Sequence, residues 1–514
     1  MKFKIFIGIV LSFILLNYSV WGQSPGKAKP GAEAQKPPVK KIDEAKLAKL
    51  SVTHHSITLK EKIFRYQAAA GYMLMRDKSD KHQASIFFIA YTREGVDTQK
   101  RPVTFAFNGG PGAASLWLHM GGLGPKRVKM SDEGLRFPQP FQYVENEATW
   151  LEFTDLVFID PVSTGYSRPA QGVDKKQFYG VMEDVRSVGD FIRLYITKNK
   201  RWLSPKFICG ESYGTVRAVG LAAYLQDTYG MYLQGLVLVS AVLDFHTQMF
   251  APGNDLPYSL YLPTYTAAAR YHKKLPEKYR ENLQTTLKEV QQWALTDYWL
   301  ALAKGNRLTE DERKEIVARL SQYTGLPGKT IENNNLRIEM SRFILGLLKD
   351  ENQIVGRLDS RFKGMHLGDD LSRYNSPLDD PSNSAISGAF TAVINDYIRN
   401  ELKYVNDIPY WPLALEVYPW NFGDILDHIH IPRVLKKAIS WNNELKVMIA
   451  NGYYDLATPY FATLYTVEHI DLPPHLQKNI IMKYYESGHM MYIRKASRQK
   501  LRDDAYEFYR STLK

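Results

Sequence analysis

The sequence predicts an α/β protein with a mostly parallel central sheet and an inserted, mainly helical cap. Three observations predict it. Short apolar runs alternate with helical periodicity as far as residue 245, long helical patterns with few strand-like runs fill 246–435, and the alternation resumes over 436–514.

The elements follow in chain order. Runs 51–58, 64–76 and 84–92 read as strands separated by polar turns, as in a hairpin or meander. The apolar run 103–107 ends in Asn108-Gly109-Gly110-Pro111-Gly112, a central strand feeding a glycine loop. Run 156–159, followed by Asp160-Pro161, is another strand-to-loop step, and 182–195 has helical spacing. Run 206–209 is a buried strand, 216–225 a small-residue helix and 236–240 one more strand. Amphipathic helices are expected at 278–293, 310–323 and 335–348. Strands 445–450 and 480–484 and a closing helix at 498–509 complete the pattern. A helical block between two α/β parts reads as a cap over an active site.

The chain has 514 residues, enough for one large domain with an insertion, and 45% of them are hydrophobic. The formal net charge is +12, and roughly half of that excess lies in the first 49 residues. No Lys/Arg run interleaved with aromatics marks a nucleic-acid surface. Met1-Lys2-Phe3-Lys4, the apolar run after it and Val20-Trp21-Gly22 have the layout of a cleaved secretory signal over 1–22. Residues 23–45, rich in Pro, Gly, Ala and Lys, read as a disordered tether. The expected location is therefore periplasmic or extracellular, without stable membrane insertion after signal cleavage. The single cysteine, Cys209, has no intrachain partner, so the core alone must hold the α/β parts at 46–245 and 436–514.

Gly210-Glu211-Ser212-Tyr213-Gly214 fits G-x-S-x-G between a strand and a helix, the setting of an α/β-hydrolase nucleophile. The sharp turn strains the serine backbone, and the flanking glycines relieve the crowding. The N–H of Tyr213 then points to where an oxyanion would form. A hydroxyl needs a base, and the base an orienting acid, in chain order Ser, acid, His. Asp455 follows strand 445–450, and His489 follows strand 480–484 beside a glycine. A turn-stabilising aspartate and a surface histidine are the plain alternatives. The glycine loop 108–112 supplies the second half of the oxyanion hole; it lacks the Gly-Lys-Ser/Thr ending of a phosphate cradle. No cofactor or metal is expected. Asp427-His428-Ile429-His430 carries too few ligands for a metal site, and buried Cys209 reads as packing.

Together these motifs, with Gly165-Tyr166-Ser167 and Gly488-His489-Met490, resemble the serine carboxypeptidase family, peptidase family S10. Tyr261-Leu262-Pro263-Thr264-Tyr265 with Tyr271-His272 is similar to its bacterial branch. The resemblance implies Ser212, Asp455 and His489 as nucleophile, acid and base, with the N–H groups of Gly110 and Tyr213 as the oxyanion hole. It implies Asn108 and Glu211 as the holders of a peptide's free C-terminal carboxylate. Two carboxyl groups approach only if one is protonated, which favours peptide binding at acid pH. The sequence departs from the family at Gly122, where a second glutamate is usual, and His119 is an alternative donor. Ala113-Ala114-Ser115 stands where the family has Cys-Ser-Ser. The expected function is an exported serine-type carboxypeptidase acting on peptides. An esterase or acyltransferase is the alternative on the same residues, and a non-catalytic binding protein a third reading.

Overall fold

Backbone hydrogen bonds join ten strands into one sheet in the computed structural model, which describes residues 44–368, 379–423 and 431–514. Strands β1 Ser51–Leu59, β2 Lys62–Arg76 and β3 His82–Arg93 form an antiparallel meander. Strand β4 is Val103–Phe107, and the short strands β5 Lys126–Val128 and β6 Tyr143–Glu145 pair apart from the main sheet. The chain continues through β7 Asp155–Ile159, β8 Arg168–Pro169, β9 Lys206–Glu211 and β10 Gly235–Val239. In the insertion, β11 Gln353–Val355 and β12 Lys363–Met365 make a hairpin; β13 Lys446–Gly452 and β14 Ile480–Tyr485 close the sheet. The order is β1-β2-β3-β7-β4-β9-β10-β13-β14, and every pairing from β7 to β14 is parallel.

All nine predicted strands are in this sheet, because each is a contiguous apolar or alternating run that a buried strand requires. The short strands β5, β6, β8, β11 and β12 carry no such run and were not expected. Two predicted cap helices are shorter than expected. The helix expected at 278–293 is Leu283–Leu295, started by Asn282, whose side chain accepts the Thr285 N–H at 3.0 Å. The helix expected at 335–348 is Met340–Gly346, because Asn335 and Leu336 sit at φ 49° and 65°. The signal segment, tether residues 23–43 and the 427–430 run lie outside the described residues.

The insertion divides among three cores. Helix Leu256–Tyr271 and the helices after it build their own core with Leu287, Tyr323 and Phe343, and Tyr453, Tyr454 and Leu456 of the α/β body join it. Helix Pro381–Asp396 instead packs Ile386, Phe390 and Val393 into the core beneath the glycine loop. Helix Ile431–Trp441 lies against helix Tyr213–Tyr229, so the boundary expected at 435 runs through a helix of the body. Among the described residues no helix is long and apolar enough to cross a membrane.

One buried ion pair fixes the layers behind the site. Arg217, fully buried, donates to Asp184 Oδ2 at 2.7 Å and to the Asn108 carbonyl at 2.7 Å. It joins helix Val181–Lys198, helix Tyr213–Tyr229 and the glycine loop. Removing one member of a buried pair strands the other charge. Asp184→Ala is therefore expected to lower unfolding free energy by about 3–5 kcal/mol in a urea titration.

Candidate active site

Strand β9 ends at Glu211 and helix Tyr213–Tyr229 begins two residues later, with Ser212 between them at φ 59°, ψ −129°. A non-glycine residue there costs about 1–3 kcal/mol, so its surroundings must hold it. The Ser212 N–H donates to the Val239 carbonyl at 3.0 Å, and Thr215 Oγ1 donates to the Ser212 carbonyl at 2.7 Å. A Cβ on Gly210 would lie 2.2 Å from the Gly214 carbonyl oxygen, and one on Gly109 would lie 2.5 Å from Tyr213 N. The glycine loop thus packs its backbone directly on the start of the helix, whose first N–H groups have no intrahelical acceptor. Gly110, at φ 98°, is exposed beside it.

Asp160 buttresses that loop from below. Its Oδ1 accepts from both the N–H and Oγ of Ser115 at 2.8 Å, and its carbonyl accepts Ser167 Oγ at 2.6 Å. Burial pushes its carboxyl up to about 6.

Asp455 and His489 stand on the loops after β13 and β14, joined by a 2.7 Å bond from Nδ1 to Oδ2. Both are buried. Asp455 Oδ1 accepts the N–H groups of Ala457 and Thr458, and Oδ2 also accepts Thr458 Oγ1 at 2.6 Å. Those bonds orient the carboxylate toward the imidazole. Burial lowers the imidazole's proton affinity, but the Asp455 carboxylate and its hydrogen bond raise it further, so the net shift is upward. Glu211, next to Ser212, also acts on His489, so base and elbow are electrostatic neighbours.

Asn108 Nδ2 donates to Glu211 Oε1 at 2.9 Å, and Asn108 Oδ1 accepts the Leu118 N–H. Burial lifts the Glu211 carboxyl to about 7, against the opposing pull of His489 and the Asn108 bond. Gly122 leaves no gap beside them. A Cβ there would lie 2.8 Å from Tyr492 Cβ and 3.1 Å from its Cγ, so the Tyr492 ring fills the space a larger side chain would need. The Tyr492 hydroxyl lies close enough to the Glu211 carboxyl to oppose its upward shift, but among the described residues neither that hydroxyl nor Glu211 Oε2 has a hydrogen-bond partner of regular geometry. His119 does not serve this site. Its Nε2 bonds to Tyr91 Oη at 2.7 Å, its ring stacks on Phe158, and burial holds its pKa near about 3.

Cap residues that sequence reasoning missed hold the His489 loop in place. The Leu358 carbonyl accepts the His489 N–H at 2.6 Å, and Asp359 Oδ2 accepts the Gly488 N–H at 3.0 Å. Arg361 reaches from Asp359 to Ser487 Oγ at 3.1 Å. No local pattern links residues as far as 129 apart, such as Asp359 and Gly488, apart from the glycine itself, where a Cβ would meet Asp359 Cβ at 2.3 Å. Cys209 is buried, and burial pushes its thiol well up, so it offers no thiolate. Among the described residues no group of three ligating side chains could hold a metal ion.

The family model for serine carboxypeptidases matches residues 59–501. Serine carboxypeptidase-like 45 of Arabidopsis thaliana is 23% identical over 249 residues, 45% of this chain and 50% of that protein. Pheromone-processing carboxypeptidase KEX1 of Saccharomyces cerevisiae is 33% identical over 159 residues, 29% of this chain and 21% of that protein. The chain thus spans half or less of these relatives' length. The crystal structure of Kex1(delta)p, a prohormone-processing carboxypeptidase from Saccharomyces cerevisiae, gives a TM-score of 0.55 at 16% identity. That match covers 86% of this chain and 91% of that one. The likeness is one of fold, and the fold is that of the α/β-hydrolases.

Tyr492 and Gly122 share one volume, which a double-mutant cycle can read. Gly122→Glu alone is expected to destabilise by about 1–3 kcal/mol through overpacking. Combined with Tyr492→Ala it should cost at least about 1 kcal/mol less than the two single changes added, measured by urea unfolding.

Proposed function

The chain belongs to the serine carboxypeptidase family, and from that premise we propose that it is an exported serine-type carboxypeptidase. It removes C-terminal residues of peptides through an acyl-enzyme on Ser212. The observation that carries this reading is the buried 2.7 Å bond between His489 and Asp455, on loops at the same C-terminal end of the parallel strands where Ser212 follows β9 at positive φ. His489, its Nδ1 bonded to Asp455, uses Nε2 to take the Ser212 Oγ proton as Oγ attacks the scissile carbonyl carbon. The oxyanion is held by the N–H groups of Gly110 and Tyr213. When the C–N bond breaks, the imidazolium gives its proton to the leaving amine. Water then loses a proton to His489 and attacks the ester, which frees the acid and returns Ser212 Oγ–H.

Asn108 and Glu211 hold the substrate's terminal carboxylate in this reading. Glu211, with a pKa raised to about 7, is a hydrogen-bond donor only while protonated. A signal segment at 1–22 and a lysine-rich tether support export to the periplasm or beyond. Gly122 favours a second reading, an esterase or acyltransferase, because it removes one carboxyl group from the carboxylate site.

Blocked dipeptides with free carboxylates, their amides and simple acyl esters separate the two. Free-acid peptides are expected to be turned over, and KM for them to rise as pH passes about 7 and Glu211 ionises; amides should lack that limb. Both should lose kcat on the acid side, as His489, raised above its ordinary value, takes up a proton. Ser212→Ala should lower kcat about 10⁴-fold or more. Turnover of esters alone would contradict the peptidase reading.

A further inference from the structure

Arg357 is fixed at its backbone to the N-cap of helix Pro381–Asp396 and to the Asp455 loop. Its N–H donates to Asp380 Oδ1 at 2.9 Å, and its carbonyl accepts the N–H of Leu456, the neighbour of Asp455, at 3.0 Å. The carbonyl of the next residue, Leu358, takes the His489 N–H. Three residues on, Ser360 gives its N–H to the Tyr454 carbonyl, and its own carbonyl meets His272 Nε2 at 2.6 Å. The segment has little freedom.

The side chain is free where the backbone is not. It is half-buried and, among the described residues, has no hydrogen-bond or ion-pair partner. Arg361, four residues on, is by contrast fully engaged by Asp359 and Ser487. The Arg357 charge is felt at His489, at Tyr261 of the cap helix and at Tyr418. Tyr418 Oη in turn donates to the Pro111 carbonyl of the glycine loop at 3.4 Å. Those three groups stand on the base loop, on the cap helix and beside the glycine loop, so the Arg357 charge acts on all three sides of the site. A half-buried guanidinium without a counter-ion is unfavourable in the protein alone, and its planar fork suits a carboxylate.

We propose that Arg357 is a carboxylate-binding residue of the substrate site, taking a peptide's C-terminal carboxylate or an Asp/Glu side chain beside the scissile bond. This rests on the hydrolase reading above. It adds a cation to a site where Asn108 and Glu211 offer none.

The test compares kcat/KM for matched peptides in the wild type, Arg357→Gln and Arg357→Lys. One pair is a free acid and its amide; the other carries Glu or Gln next to the scissile bond. In Arg357→Gln the preference for one carboxylate-bearing member should fall tenfold or more, through KM. Arg357→Lys should recover part of it and serves where the Gln variant folds poorly. Whichever pair responds identifies the source of the carboxylate. Unchanged ratios in both pairs would overturn the proposal. So would equal losses on charged and neutral members, since Arg357 would then act through His489. Labelling of Ser212 by a fluorophosphonate is read in parallel: labelling with unchanged ratios removes only the Arg357 assignment. An unlabelled, inactive wild type removes both readings.

Discussion

The site depends on one backbone contact, the close approach of the glycine loop to the turn after β9. With 2.5 Å between a Gly109 Cβ and Tyr213 N, no side chain is possible there, and none is possible at Gly210. That contact sets where the first N–H groups of helix Tyr213–Tyr229 point, and it brings Asn108 within 2.9 Å of Glu211. The strain at Ser212 is sustained because both sides of the turn are fixed. The Val239 carbonyl holds its N–H, and Arg217 ties the loop to the helix from behind. The turn at Ser212 is thereby positioned by the sheet and the helix packed on it.

The insertion is packed onto the loops that carry Asp455 and His489. Leu358, Asp359 and Arg361 carry its chain into contact with the His489 loop, and Tyr453, Tyr454 and Leu456 of the acid loop sit in the cap core. Asp455, His489 and the insertion therefore form one packed unit. A change that loosens the cap core should disturb His489 before it disturbs the strands, because the sheet has its own two cores.

The parts of this arrangement that are local in sequence could be read from it. Strand β9, the small-residue helix and the elbow between them lie within one short stretch, and each carries its own periodic or glycine signal. The same holds for the loop at 108–112. The pairing of Asp455 with His489 was readable from chain order because both follow strands. What escaped is non-local or depends on backbone detail. Tyr492 fills the volume at Gly122 from 370 residues away. His119 points to Tyr91 because residues His119–Leu123 form a π-helical turn, which no apolar period announces. Asn335 and Leu336 break a helix whose apolar spacing continues through them. The division of the insertion among three cores likewise follows from tertiary packing, as of helix Pro381–Asp396, and not from local sequence.

The most direct measurement of the central claim is peptide-mapping mass spectrometry of the purified chain after treatment with a fluorophosphonate. The account predicts one adduct, on Ser212, formed rapidly in the wild type and much more slowly in His489→Ala. An adduct on another residue, or equal rates on Ser212 with and without His489, would contradict it.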